Sequence, residues 1–129
     1  MSLQGKIAWI TGGGSGIGLA GAIQLAQAGA RVIISGRDAA KLDAARAQAQ
    51  SQGVPAGSIS AMVLDVADGA AVARVAQSIQ AEHGRVDILV NSAGINFPRR
   101  YWNQTDSATF NEVVAVNLKM LIALLLSGF

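Results

Sequence analysis

The run Thr11-Gly12-Gly13-Gly14-Ser15-Gly16-Ile17-Gly18 puts five glycines and a serine hydroxyl within eight positions. Glycine lets the chain turn sharply and brings backbone N–H groups close to a bound group, and N–H and hydroxyl donors are what phosphate oxygens accept from. A helix beginning at once after the run adds the partial positive charge of its N-terminus, worth about 0.3 to 1 kcal/mol per exposed anion. Pyrophosphate binding is the chemistry these residues suit, and a flexible turn is the alternative. Position separates the two, since the run suits phosphate only where it joins a first strand to a first helix.

Little else in the chain carries chemistry. No cysteine is present and the one histidine is His83, which excludes disulfides, thiolate metal sites, cysteine nucleophiles and histidine-cluster metals. His83 stands just before Gly84 at a helix end and is expected at the surface with no catalytic task. Ten basic and eight acidic side chains give a net charge of +2. They are scattered, and only Arg99-Arg100 form a close basic pair, so no nucleic-acid partner is expected. Leu118 to Leu126 contains Lys119 and is far shorter than the ~20 apolar residues of a spanning helix, so no membrane segment is expected. Ile7 to Ile10 is too short for the core of a secretory signal. The expected location is cytoplasmic.

With 129 residues, 51% apolar and 14% charged, the chain can bury one core, and residues 1–129 are expected to form one domain. Four short apolar runs, Ile7 to Ile10, Arg31 to Ser35, Ile59 to Leu64 and Val86 to Val90, alternate with four stretches of helical character. The first helix, Ile17 to Ala28, is apolar almost all round and stops at Gly29. The second begins at Asp38 as N-cap and ends before Gly53-Val54-Pro55. The third, from about Asp68 to Gly84, places Val72, Val75, Ala76 and Ile79 on one face. The fourth carries Phe110, Val113, Val114, Asn117, Leu118 and Leu121 on one stripe. This alternation predicts an α/β fold with a parallel, doubly wound sheet. Right-handed crossovers align the strand C-termini on one edge, where ligands bind in open α/β sheets, and the unusual residues fall at those ends.

The spacing T-G-x-x-x-G-x-G resembles the short-chain dehydrogenase/reductase family of the classical type. Leu64-Asp65-Val66 matches that family's D-V after the third strand. Asp87-Ile88-Leu89-Val90-Asn91-Ser92-Ala93-Gly94 matches its D-x-L-V-N-N-A-G, with Ser92 for the second asparagine. Val116-Asn117-Leu118 matches the segment with its catalytic asparagine. The resemblance covers roughly a member's N-terminal half and implies a Rossmann-like fold. It implies that Gly12, Gly14, Ser15, Gly16, Ile17 and Gly18 wrap the pyrophosphate, that Asp65 and Val66 meet the adenine, and that Asn91, Ala93 and Gly94 pass under the nicotinamide ribose. Helix capping is the alternative for Asp65, while Asp87 is expected to secure the strand start. Arg99 and Arg100 lie where the family's substrates bind, with a solvated pair as the alternative.

Coenzyme choice turns on the end of the second strand. About 20 residues beyond the glycine run stands Asp38, which could hold the free ribose 2′-hydroxyl of NAD. In the family that acid follows the strand immediately, and here the place belongs to Gly36, followed by Arg37. Arg37 can grip a 2′-phosphate with paired donors and no carboxylate opposes it, so NADP is expected over NAD. A second basic residue, often found in the glycine run of NADP-using members, is replaced by Ser15.

The family's reaction moves a hydride between nicotinamide and a small carbonyl or alcohol substrate, with a Tyr-x-x-x-Lys pair as acid/base and a serine that orients the carbonyl. The one tyrosine is Tyr101, with Thr105 four residues later, and it precedes the asparagine helix. Of the family's catalytic set only Asn117 is present. The chain is therefore expected to be truncated at its C-terminus, inactive alone, and homo-oligomeric when complete. The uncharged stretch Met120 to Phe129 is expected to need cover. A non-catalytic dinucleotide-binding or dimerisation module and a non-functional fragment remain the alternatives.

Overall fold

The computed structural model describes residues 2–92. Within them four strands, β1 (Ile7–Thr11), β2 (Arg31–Gly36), β3 (Ile59–Val63) and β4 (Ile88–Asn91), alternate with helices α1 (Gly16–Gln27), α2 (Ala39–Ser51) and α3 (Gly69–His83). The sheet is parallel in the order β3-β2-β1-β4. The alternating α/β reading is thereby confirmed. The fourth helix and the stretch from Met120 lie outside the described residues.

Period-2 alternation along the central strands builds two cores. Ala8, Ile10, Val32 and Ile34 pack against Leu19, Ala22, Ile23 and Ala26 of α1 and against Leu42, Ala45 and Ala49 of α2. Ile7, Trp9 and Ile33 face the other way, onto Val72, Val75, Ala76 and Ile79 of α3. Every residue of β1 is buried, as a central parallel strand covered on both faces must be. The sheet is therefore wound on both sides.

Strand limits differ from the sequence reading by one or two residues. β1 and β2 continue into Thr11 and Gly36 because the neighbouring strands still offer ladder partners there, Thr11 opposite both Ser35 and Asn91, and Gly36 opposite Val63. β4 begins at Ile88 instead of Val86. Its approach is tied by a side chain: Ile7 N–H donates to Asp87 Oδ2 at 2.8 Å while Asp87 N–H donates to the Ile7 carbonyl at 2.8 Å. Arg85 completes the clasp, its Nε donating to Asp87 Oδ2 at 2.9 Å and its Nη2 to the Gly5 carbonyl at 2.8 Å. Asp87 secures the strand start as expected.

His83 departs from expectation. Four residues beyond Ile79, it continues the buried stripe of α3, and its side chain is only 9% exposed, with Nε2 3.8 Å from Glu82 Oε2. It sits at the end of α3 opposite the strand C-termini.

Gly21 within α1 and Gly29 just beyond its C-cap generate opposite predictions. A Cβ on Gly21 would meet nothing within 4 Å, whereas Gly29 has φ +103° and a Cβ there would lie 3.2 Å from the Gln4 backbone nitrogen. Gly21→Ala is expected to raise stability by about 0.5 to 1 kcal/mol through helix propensity, and Gly29→Ala to lower it by about 1 to 2 kcal/mol. Urea denaturation of the two variants measures both.

Asp87 generates a prediction in pH. The bond from the Ile7 amide holds its carboxyl below the ordinary value of 3.8, helped by Arg85 and by the charge of Lys6 and opposed by desolvation. A depressed acid stabilises the fold above its unfolded pKa and loses that contribution as pH falls through the folded one. Wild type is expected to lose more stability than Asp87→Asn between about pH 6 and about pH 3, as read from urea midpoints at each pH.

Candidate functional site

The in-register ends of the strands bring the chemistry-bearing residues to one edge. Thr11 ends β1 opposite Ser35 and Asn91, and Gly36 lies opposite Val63, so the segments after β1, β2, β3 and β4 all leave the sheet side by side. This edge gathers Gly12 to Gly18, Arg37, Asp65, Val66 and Asn91. Ala93, Gly94 and Asn117 lie outside the described residues, as do Arg99, Arg100 and Tyr101.

The glycine run joins β1 to α1 and is fixed to the sheet from beneath. The Ser35 carbonyl accepts from Gly12 N–H at 2.8 Å and from Gly13 N–H at 3.3 Å. Gly13 is pressed onto Ile34, where an added Cβ would fall 2.5 Å from Cγ2 and 2.6 Å from the Ile34 Cβ. Gly18, in the first turn of α1, is closed in by the Gly12 carbonyl and by Ser92 Oγ, with no room for a Cβ. Gly16 is the reverse. Its φ is +59° and a Cβ there would meet nothing within 4 Å, so the space above it is open. The run thus has a packed side, Gly13 and Gly18, and an open side, Gly16 with the exposed Ser15.

The open side faces the start of a helix with no cap of its own. Ser15 occupies the N-cap of α1 with no side-chain capping bond, and no acid stands in the first turn. The other two helices are capped by carboxylates: Asp38 Oδ1 accepts from the amides of Ala40 at 2.9 Å and Lys41 at 3.3 Å, and Asp68 Oδ1 from Ala71 at 3.1 Å. First-turn N–H groups have no partner within their own helix, so α1 alone of the three offers uncapped donors and an unopposed positive end. Ile17 beside them is 86% exposed, an apolar side chain that a bound group would cover. These features fit a pyrophosphate.

At the end of β2, Gly36 packs against Leu42 of α2, a Cβ there falling 3.4 Å from Leu42 Cδ2. Arg37 follows, exposed and with no hydrogen bond or ion pair to any described residue. Asp38 is occupied as the α2 cap, and its carboxylate is oriented by two amides of its own helix. Asp65 is exposed after β3, where Oδ1 accepts from Ala67 N–H at 3.0 Å and its carbonyl from Asp68 N–H at 3.0 Å. That Asx turn uses one oxygen, and a carboxylate keeps further lone pairs for a ligand donor. Val66 is half-buried and packs on the α3 core.

Asn91 and Ser92 tie β4 to the loop. Thr11 Oγ1 donates to Asn91 Oδ1 at 3.1 Å. Ser92 donates its N–H to the Thr11 carbonyl at 3.1 Å and its hydroxyl to the same oxygen at 2.8 Å, with the Gly12 carbonyl 3.3 Å away. A serine at this place therefore has its hydroxyl proton engaged by the backbone of the loop.

The sequence reading assigns no role of their own to Thr11, Gly13, Ser35 and Trp9. Trp9 is wholly buried and donates Nε1 to Ser35 Oγ at 2.8 Å, which pins the residue whose carbonyl holds the loop. The available signal was Thr11 and Ser35, polar residues that each close an otherwise apolar run.

Known proteins resemble this chain over most of its length. A family model for short chain dehydrogenase matches residues 6–127. Gluconate 5-dehydrogenase of Gluconobacter oxydans is 38% identical over 122 residues, which cover 89% of this chain and 46% of that enzyme. Among solved structures, a metagenomic short-chain oxidoreductase in complex with NADP superposes with a TM-score of 0.83 at 35% identity, covering 98% of this chain and 56% of that one. A short-chain type dehydrogenase/reductase from Mycobacterium ulcerans gives 0.86 at 32% identity, covering 98% of this chain and 46% of that one. The chain spans about half the length of these relatives. With the parallel sheet, the uncapped glycine turn and a match over nearly all its residues, this chain belongs to the short chain dehydrogenase family.

Proposed function

We propose that this chain is the NADP(H)-binding portion of an oxidoreductase that transfers hydride between nicotinamide and a small carbonyl or alcohol compound. The observation that carries the reading is the uncapped start of α1 at the sheet edge, beside helices whose starts are closed by Asp38 and Asp68. Gly12, Gly14, Ser15, Gly16, Ile17 and Gly18 would hold the pyrophosphate through amides and a hydroxyl. Asp65 and Val66 would meet the adenine, and Asn91 with Ala93 and Gly94 would border the nicotinamide ribose. Bound nicotinamide supplies the hydride-transferring ring.

Support for NADP over NAD comes from the end of β2. The cap bonds from the Ala40 and Lys41 amides fix Asp38 Oδ1 over the start of α2, which restrains the carboxylate and leaves only Oδ2 for a ribose hydroxyl. The place directly after the strand's last buried residue is Gly36, which carries no charge, and Arg37 beyond it is exposed. A guanidinium with paired donors suits a phosphate and gains nothing from a hydroxyl. The relative solved with NADP is consistent with this preference.

NADPH is expected to bind more tightly than NADH, and Arg37→Ala to remove most of the difference, about 1.5 to 3 kcal/mol for a charge-assisted contact. Calorimetric titrations measure it, and equal affinities in wild type, or a preference untouched by Arg37→Ala, would return the choice to Asp38.

The 129-residue chain is also expected to bind NADPH without turning it over. Residues 1–129 contain no Tyr-x-x-x-Lys, and Asn117, an amide, neither gives nor takes a proton near neutral pH. General acid–base catalysis contributes on the order of 10² to 10⁴ in rate. NADPH absorbance against a panel of aldehydes, ketones and quinones is the assay. Oxidation above background that Asn117→Ala abolishes would place a proton donor within this chain, Tyr101 first.

A further inference from the structure

We propose that Lys41, in the first turn of α2, is a specificity-determining residue that supplies a second cation, beside Arg37, to the 2′-phosphate of the coenzyme. The inference rests on the NADP reading above. A ribose 2′-phosphate is a dianion near neutral pH, and the loop Thr11 to Gly18 contains no charged side chain. Arg37 neutralises one charge. The helix terminus next to it is offset by the Asp38 carboxylate, which accepts from the α2 amides of Ala40 and Lys41 and adds a negative charge beside Arg37. A second side-chain cation would offset that charge, and packing brings one to the spot.

Leu42 is the wedge that does so. Its Cδ2 lies 3.7 Å from a Cβ built on Gly14 and 3.4 Å from one built on Gly36, so one side chain fills the gap between the glycine run and the end of β2. Lys41 comes with it: its Cβ is 3.7 Å and its carbonyl carbon 3.9 Å from the same point on Gly14. Arg37 follows Gly36 in sequence and Lys41 precedes Leu42, so both cations flank the pair of glycines that Leu42 holds together. A Cβ at Gly14 would meet α2 at ordinary van der Waals distance. Both side chains are exposed, and neither is in an ion pair with a described residue. Asp43, the next acid on α2, is 4.0 Å from Arg46. A four-carbon stem lets the Lys41 ammonium swing over Gly14 with no rearrangement of backbone.

The test is calorimetric titration of the full 129-residue chain with NADPH and NADH, for wild type, Lys41→Gln, Lys41→Glu, Lys41→Arg and Arg37→Ala, at two salt concentrations. Lys41→Gln is expected to weaken NADPH about two- to fivefold, as an exposed charge contact does, and to leave NADH unchanged. Lys41→Glu should weaken NADPH further, Lys41→Arg should retain the preference, and the salt dependence of NADPH binding should be shallower in Lys41→Gln. A wild-type preference for NADPH that Lys41→Gln and Lys41→Glu both leave intact overturns the role of Lys41 and spares the NADP reading. Equal weakening of both coenzymes also overturns it, since that is a structural effect. No preference in wild type, or no binding of either coenzyme, overturns the NADP reading and this inference with it.

Discussion

The Ser35 carbonyl oxygen is the point on which the site hangs. It lies at the end of a buried strand and accepts from two successive amides, Gly12 and Gly13, just where the chain must leave β1 and reverse into α1. A peptide that turns away from a sheet would otherwise leave those amides unpaired next to the core, at a cost of about 1 to 3 kcal/mol each. Holding them inward sets which groups of the loop face outward. The residue that makes this carbonyl is itself pinned, because the buried indole of Trp9 donates to Ser35 Oγ. A polar bond inside the α3-side core therefore bears on the geometry of a loop at the sheet edge.

The crowding at Gly13 and Gly18 follows from the same arrangement. Gly13 rests on Ile34 and Gly18 on the Gly12 carbonyl and Ser92, so the loop is clamped between β2, β4 and its own helix. Ser92 closes the clamp from the β4 side through the Thr11 carbonyl. These contacts leave one open direction, above Gly16 and Ser15. Electrostatics then make that direction selective: α2 and α3 have carboxylates seated on their N-termini, and α1 has none. An anion approaching this edge meets one unopposed helix terminus.

The same packing logic decides how the acid at the end of β2 is used. Asp38 follows β2 closely, and a helix that begins at Ala39 takes its Oδ1 as a cap. Whether an aspartate caps or binds depends on where the next helix starts, which is a property of two or three residues. Arg37, one position earlier, has no such competing use.

Much of the fold was legible in sequence because it rests on local rules. Alternating apolar runs set four strands with a parallel, two-faced sheet, Asp38 and Asp68 marked helix starts, Gly29 and Gly84 marked ends, and five glycines in eight residues marked the loop. Each depends on neighbours within a few positions, where periodicity and capping act. The sequence also showed that Asp87 would serve the strand and that no Tyr-x-x-x-Lys occurs in residues 1–129. What it could not show depends on residues far apart along the chain. The division of the glycine run into a packed and an open side, the tie from Trp9 to Ser35 and the meeting of Gly14, Gly36 and Leu42 each include a contact between positions 20 or more residues apart. Only the three-dimensional register of β1, β2 and β4 brings them within bonding distance, because a hydrogen bond or a van der Waals contact acts over a few ångströms of space and is indifferent to separation in sequence.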